Sequence, residues 1–274
     1  MSDVIKIEKV PVENGDGIIA LVSINRPNKL NALNHEVSTG LKDMCAWAEE
    51  DADVRVVVIT GSPPEEPPEG KRAKPHAFAA GADISEFVGK KSEEIRTIFE
   101  NNAWEAIWKL SKPTIAMVDG YALGGGCEVA CSCDIRIAST RSDFGTPEIK
   151  LGLIPGGGGT QRLANLIGYG RTMEMVMSGD NISAEEAHRI GLINHICEPS
   201  ELRSTTLALA QSIAEKSSHT IKVAKQVIRA ALDNGISDGI AIEADYFANL
   251  FDSEDKEIGV KAFLAREKPE WKHR

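Results

Sequence analysis

A series of short, β-branched apolar runs, each stopped by glycine or a turn and separated by helical patterns, limits this chain to few architectures. Ile18-Ile-Ala-Leu-Val-Ser-Ile-Asn25, Val54-Arg-Val-Val-Val-Ile-Thr60, Thr114-Ile-Ala-Met-Val118 and the shorter Ile135-Arg-Ile-Ala138 all read as strands. A run such as the second, apolar on both alternating faces, belongs in a sheet covered on both sides. The N-terminal stretch Met1–Val10 alternates apolar and charged residues and predicts a first strand, joined to the next across a Gly15-Asp16-Gly17 turn. From Asn34 the period becomes helical, with Val37, Leu41, Met44 and Ala48 on one face. Ile95, Phe99, Ala103, Ala106 and Leu110 predict a single helix over Ser92–Leu110. Past about residue 160 the strand signals nearly vanish. Ser183-x-x-Glu186 opens a helix that Gly191 can close, and helical patterns then fill 200–217, 220–233 and 237–266. Repeated strand–helix units followed by a helical final third give an α/β protein, one large domain or a domain with an appendage.

The same sequence excludes several classes. A net charge of −10 repels polyphosphate, so nucleic acid is not an expected partner. The N-terminus lacks the roughly 7–15-residue apolar core of a secretory signal, and no stretch approaches the roughly 18 apolar residues that span a bilayer. A cytoplasmic protein without membrane contact is expected. Five cysteines (Cys45, Cys127, Cys131, Cys133, Cys197) are read as reduced and buried rather than as a disulfide framework. Residues 62–75 hold five of the twelve prolines and predict an exposed loop.

Familiar signatures fail at single positions. Gly120-x-x-x-x-Gly125 has the glycine spacing of a P-loop, but Gly126 and Cys127 stand where Lys and Ser/Thr are needed. Val129 replaces the third glycine of a dinucleotide fingerprint, and His35-Glu36 lacks the second His of a zinc protease helix. There is no G-x-S-x-G elbow, and the cysteine spacing does not match a zinc site, so no metal is expected.

What remains are three segments of small residues: Ala79-Ala-Gly-Ala-Asp-Ile84, Gly124-Gly-Gly-Cys-Glu128, and Thr146-Pro-Glu148 ahead of Gly156-Gly-Gly-Gly159. In the second, a strand ends, glycines turn the chain and a helix begins, so free N–H groups and the positive helix pole lie beside Gly125. Such donors suit negative charge developing on oxygen. Glu128, in the first turn, and Glu148, after a short strand, add two carboxyls for proton transfer beside a stabilised enolate.

At these residues the sequence resembles the enoyl-CoA hydratase/isomerase, or crotonase, superfamily. The resemblance runs through Asn25-Arg-Pro27 with Asn31-Ala-Leu33, Ala79–Ile84, Lys112-Pro113 to Cys133-Asp134, Phe144-Gly-x-Pro-Glu148, Leu151–Gly156, Gly159-Thr-Gln-Arg162 and Gly179-Asp-x-Ile-Ser-Ala-x-x-Ala187. It implies a crotonase-like spiral of ββα units over 1–200, carrying the active site, and a C-terminal helical region over 201–274 that serves trimer formation. It implies an acyl-CoA thioester substrate, no cofactor beyond the CoA of that substrate, and a homotrimer or a dimer of trimers. The thioester oxygen would take hydrogen bonds from the N–H groups of Ala82 and Gly125. Glu128 and Glu148 match the two glutamates of hydratases, Glu128 activating water for the β-carbon and Glu148 delivering a proton to the α-carbon. Ala80, Gly81, Asp83, Ile84, Ser85, Gly124 and Lys29 fall on substrate-binding positions, and Gly156 on a glycine that helps place the water.

Ser85 departs from the lysine that many relatives carry, so the CoA phosphates are left to Arg26, Lys29, Lys71, Arg72 and Lys74, or to Lys261 or Lys268 of a neighbouring subunit. Phe99, Trp104 and Trp108 are candidates for the acyl pocket or for ordinary core. The activity implied is reversible hydration of short-chain trans-2-enoyl-CoA, with the reverse dehydration of 3-hydroxyacyl-CoA. The proline-rich insertion is similar to archaeal 3-hydroxypropionyl-CoA dehydratases. The rivals are other crotonase chemistry, such as double-bond isomerisation or thioester hydrolysis, and a non-catalytic binding protein on the same fold, for which a lysine-rich helix stripe is missing.

Overall fold

The computed structural model describes residues 3–67 and 69–274, so Met1 and Ser2 of the expected first strand and Pro68 of the proline-rich loop lie outside the described residues. In chain order the strands and helices are β1 (Ile5–Pro11), β2 (Ile18–Ile24), α1 (His35–Glu50), β3 (Val54–Gly61), β4 (Ala77–Ala79), α2 (Ser92–Glu100), α3 (Ala103–Lys109), β5 (Thr114–Val118), β6 (Tyr121–Leu123), α4 (Gly125–Ser132), β7 (Ile135–Ser139) and β8 (Asp143–Gly145). They continue as α5 (Gly159–Ile167), α6 (Tyr169–Ser178), β9 (Ile182–Ser183), α7 (Ala184–Arg189), β10 (His195–Cys197), α8 (Leu202–Ala214), α9 (Ser218–Asp233), α10 (Ile236–Asn249) and α11 (Glu254–Ala265).

The strands form two rows. One sheet has the order β1-β2-β3-β5-β7-β10 and the other β4-β6-β8-β9. Successive turns of the chain therefore lay one strand in each row: β3 then β4, β5 then β6, β7 then β8. Within each row these neighbours are parallel, and helices make the return between turns. This is the ββα spiral. Among the described residues, only the opening hairpin β1–β2 and the short β8–β9 pair are antiparallel.

Both faces of the large sheet are covered, which is why its central strands are apolar throughout. One face packs Val22, Ile24, Val57 and Ile59 with Val37, Leu41 and Met44 of α1 and with Ile107 of α3. The other packs Ile19, Leu21, Val56, Val58 and Ile115 under Leu202, Ala210 and Ala214 of α8. The region expected to begin at 201 is thus not uniform. Its first helix belongs to the core, whereas α9 and α10 bury no residue and α11 buries only Asp255.

One sequence expectation is corrected. Ser92–Leu110 is two helices, because Asn102 caps both: its side chain accepts from Glu105 N at 2.9 Å and donates to Phe99 O at 2.9 Å. Asparagine competes for backbone groups in this way and favours helix ends over interiors. The strands past residue 160, where strand signals nearly vanish, are the short β9 and β10, which extend the two rows. With two and three residues each, they are too short to show a period.

Candidate active site

The site forms where the ends of β4 and β6 and the loops after them meet. After β6, Gly124 adopts φ +50°, ψ −127°, a conformation that L side chains rarely reach, and its N–H donates to Gly145 O at 2.8 Å. The chain then enters α4 with Gly125 as its first residue, and every residue of that helix is buried. Across from it, Leu33 N donates to Gly81 O and Asp83 N to Leu33 O, both at 2.8 Å, in an isolated parallel bridge. That bridge uses the groups flanking Ala82 and turns the Ala82 N–H to the other side. Among the described residues, neither Ala82 N nor Gly125 N donates to a protein acceptor. The two segments lie together: a Cβ built on Gly125 would stand 3.6 Å from Ala82 N, and one on Gly124 would stand 3.7 Å from the Gly81 Cα.

Glu128, one turn into α4, is 2 % exposed. Its Oε1 accepts from Gly157 N at 2.7 Å and Gly159 N at 2.8 Å. Burial raises its pKa to about 7, with the charge of Glu148 adding to the rise and the Gly159 and Gly157 amides opposing it. Glu148 sits in the 3-10 turn Pro147–Leu151 that follows β8, where Thr146 is kept out of the helical region (φ −124°, ψ 74°) ahead of Pro147. Its Oε1 faces Gly124, so a Cβ on that glycine would come within 2.9 Å of it. Its Oε2 is buried without a hydrogen-bond partner in the protein, and burial again pushes the carboxyl pKa up. A buried oxygen left so is costly unless a ligand or water serves it. Two carboxyls with raised pKa, flanking two free amides, can hold and transfer protons beside a polarised carbonyl.

The glycine run 156–159, marked in the sequence as a place of close backbone approach with Gly156 expected to help place the water, supplies the two donors to Glu128, and they are Gly157 and Gly159. Gly156 lies one residue before them, and a Cβ there would meet Phe99 Cζ at 2.8 Å. Trp104 wedges between Gly125 and the glycine run. Its Nε1 donates to Gly125 O at 3.0 Å, and its ring leaves no room for a Cβ on Gly157. Phe99 stacks on it with ring centroids 6.1 Å apart. Trp108 points elsewhere, between the guanidinium groups of Arg162 and Arg229.

The other expected contacts divide. Asp83 is bound to Arg26 at 3.0 Å and to Ser85 Oγ at 2.7 Å, and these two partners hold its carboxyl below the usual range. Arg26 also donates to Ala32 O, so it ties the Ala82 loop to the segment before α1. Ala80 N is used by Leu30 O. Ile84, Lys29, Lys71, Arg72 and Lys74 are exposed, with Lys74 on Asn28 O. Lys261 pairs with Glu257 of its own helix, and Lys268 is exposed. Among the described residues no three His, Cys, Asp or Glu side chains converge as metal ligands, and no helix is long and apolar enough to cross a membrane. No two cysteines are bonded to each other.

A family model described as enoyl-CoA hydratase/isomerase matches residues 14–274. With the two-row spiral and the glycine-walled glutamates, this shows that the chain belongs to the enoyl-CoA hydratase/isomerase family. It is 40% identical over 257 residues to a short-chain-enoyl-CoA hydratase of Clostridium acetobutylicum, covering 93% of this chain and 94% of the relative. It is 37% identical over 252 residues to a crotonyl-CoA hydratase of Syntrophomonas wolfei, covering 91% and 93%. Among solved structures, the enoyl-CoA hydratase of Bacillus anthracis superposes with a TM-score of 0.88 at 30% identity, covering 99% of this chain and 100% of that one.

Proposed function

We propose that the chain is a hydro-lyase, an enoyl-CoA hydratase acting on short-chain trans-2-enoyl thioesters such as crotonyl-CoA. The observation that carries this is the pairing of Glu128 with Glu148 beside two unused backbone amides. The thioester oxygen accepts from Ala82 N–H and Gly125 N–H, which draws electron density from the conjugated double bond. Ionised Glu128 takes a proton from water as the water oxygen bonds to the β-carbon. Protonated Glu148 gives its proton to the α-carbon, so H and OH add to the same face and the carbonyl re-forms. The proton then on Glu128 must return to Glu148 before the next turnover, and the two carboxyls titrate as a pair. Every step is reversible, so the same groups dehydrate a 3-hydroxyacyl-CoA, with 3-hydroxypropionyl-CoA as the candidate suggested by the proline-rich insertion.

On this reading no metal or redox group is needed, since the amides polarise the carbonyl and the glutamates move the protons. Lys29, Lys71 and Arg72, exposed in the segments before the Ala82 loop, and Lys268 of a neighbouring subunit are the cations left for the CoA phosphates. Gly124, Gly81 and Ile84 line the approach to the thioester. The protein works in the cytoplasm as a homotrimer or a dimer of trimers, supported by the bare apolar faces of α9–α11, where Ile236 and Phe263 are each 84% exposed. Adding the protein to crotonyl-CoA should abolish the absorbance of the conjugated enoyl thioester. No change at high enzyme concentration would overturn the reading, and formation of a 2-enoyl product from a 3-enoyl-CoA would favour isomerisation instead.

A further inference from the structure

We propose that Arg162 is a positioning residue for Glu128, acting by clamping the peptide that lies between the two amides on which the Glu128 carboxylate rests. The proposal depends on the reading of Glu128 as the base. The two N–H groups that reach Glu128 Oε1 come from the peptides 156–157 and 158–159, and the peptide between them, 157–158, offers its carbonyl to Arg162 Nη1 at 2.7 Å. Rotation of that middle unit would swing both neighbours, so one hydrogen bond holds two donors on target. Gly158, at φ +99°, is shaped to the clamp: a Cβ there would stand 2.1 Å from Arg162 Nη1.

The placement is not what helix electrostatics would choose. Arg162 closes the first turn of α5, where a cation faces the positive pole of the helix, and its side chain is only 10% exposed. It is held there by Glu105 Oε1 of α3 at 2.9 Å and by the face of Trp108 at 5.1 Å. The neighbouring residue Trp104 packs against Gly157 and donates to Gly125 O, so α3 braces the amide loop from one side as Arg162 does from the other. Its positive charge also favours the ionised form of Glu128. The other titratable groups that bear on Glu128 are Glu148 and the thiols of Cys127 and Cys131 on its own helix; Arg162 also favours the ionised form of the Cys131 thiol, and both line one cleft.

The test compares Arg162→Met, Arg162→Lys and Arg162→Ala with Glu128→Gln in the full chain, measuring crotonyl-CoA hydration from about pH 5.5 to 9. A group that orients a reacting side chain is worth about 10- to 100-fold. Arg162→Met should lower kcat by that amount, leave KM within about twofold, and move the acidic limb of the kcat profile to higher pH by about half a unit or more. Arg162→Lys keeps a charge but cannot bridge Gly157 O and Glu105, so its kcat should fall while its limb stays closer to the wild type. The clamp opens on a cleft of about 660 Å³ lined by Gly158, Gln161, Arg162 and Trp108, which admits a small cation. Methylguanidinium should therefore restore part of the activity of Arg162→Ala, and methylammonium should not. Wild-type kcat and an unmoved limb in Arg162→Met, with Glu128→Gln inactive, would overturn the clamp alone. A loss of kcat with an unmoved limb and no guanidinium rescue would also overturn it, as a merely structural effect. Wild-type turnover in Glu128→Gln would instead overturn the base itself. Should Arg162→Met fail to fold, Arg162→Lys and the rescue of Arg162→Ala decide the matter.

Discussion

The glycine-walled centre around α4 and the helices α9–α11 solve the problem of burial in opposite ways. In the centre every residue of α4 is buried, and of the polar groups taken out of water Glu128 rests on two amides and Arg162 on a carbonyl and a carboxylate, while Glu148 Oε2 is left without a protein partner. On α9 the order is reversed. The helix buries no residue against its own chain and is held by ions, Lys225 and Arg229 both lying 2.7 Å from Asp134, while Ile228 and Leu232 border the open cleft beside Trp108. The chain thus buries the region around α4 by itself and leaves large apolar side chains of its last three helices, such as Ile228, Ile236 and Phe263, uncovered. Such surfaces mark association with another molecule, here a second and third copy under the proposed assembly.

The contrast breaks most sharply at the glutamates. Glu128→Gln and Glu148→Gln should each lower kcat by at least about a hundredfold, while circular dichroism and solution mass stay those of the wild type. Turnover near wild type in either would place the proton transfers elsewhere. Next in size is Gly124→Ala, which adds a Cβ at positive φ and within 2.9 Å of Glu148 Oε1. Here kcat should fall roughly tenfold or more through backbone geometry, with KM less affected.

The extension responds in a different observable. Phe263→Asp combined with Ile236→Asp should reduce the mass in sedimentation equilibrium toward the 29.6 kDa of one chain without loss of helical signal. An unchanged mass would mean that copies associate through another face. The smallest expected effect is on stability. Glu128 keeps its proton in the folded protein up to about pH 7, whereas an unfolded chain releases it near the ordinary carboxyl value of 4.5. Between those limits the folded state binds more protons, so its contribution falls as pH rises through that window, at up to about 1.4 kcal/mol per pH unit. Denaturant midpoints of wild type and Glu128→Gln measured at pH 5 and 7 should therefore diverge, with the wild type losing more on going to pH 7. Parallel behaviour would show that Glu128 is ionised throughout.

Much of this was legible in the sequence. The β-branched runs and the α1 face declared their burial, and the small-residue segments at 79–84, 124–128 and 156–159 marked where the backbone approaches a ligand or another strand. The break at Asn102 escaped notice because helical periodicity runs straight across it, and only the two capping bonds of that one side chain reveal the end of one helix and the start of the next. The role of Gly157 and Gly159 was likewise hidden, since a glycine run advertises room for the backbone and not the carboxylate about 30 positions away that will use its N–H groups.

Composition and periodicity determined which segments become strands or helices and which faces turn inward, because those properties are local and are set by side-chain shape and solubility. The tertiary structure alone decided that α8 closes the second face of the sheet while α9 stays outside, that Arg26 pairs with Asp83, and that Arg162 grips the peptide beneath Glu128. Each of these is a choice among partners distant along the chain. Apolar burial is non-directional and leaves that choice open, and directional hydrogen bonds make it only once the spiral has brought the groups within reach.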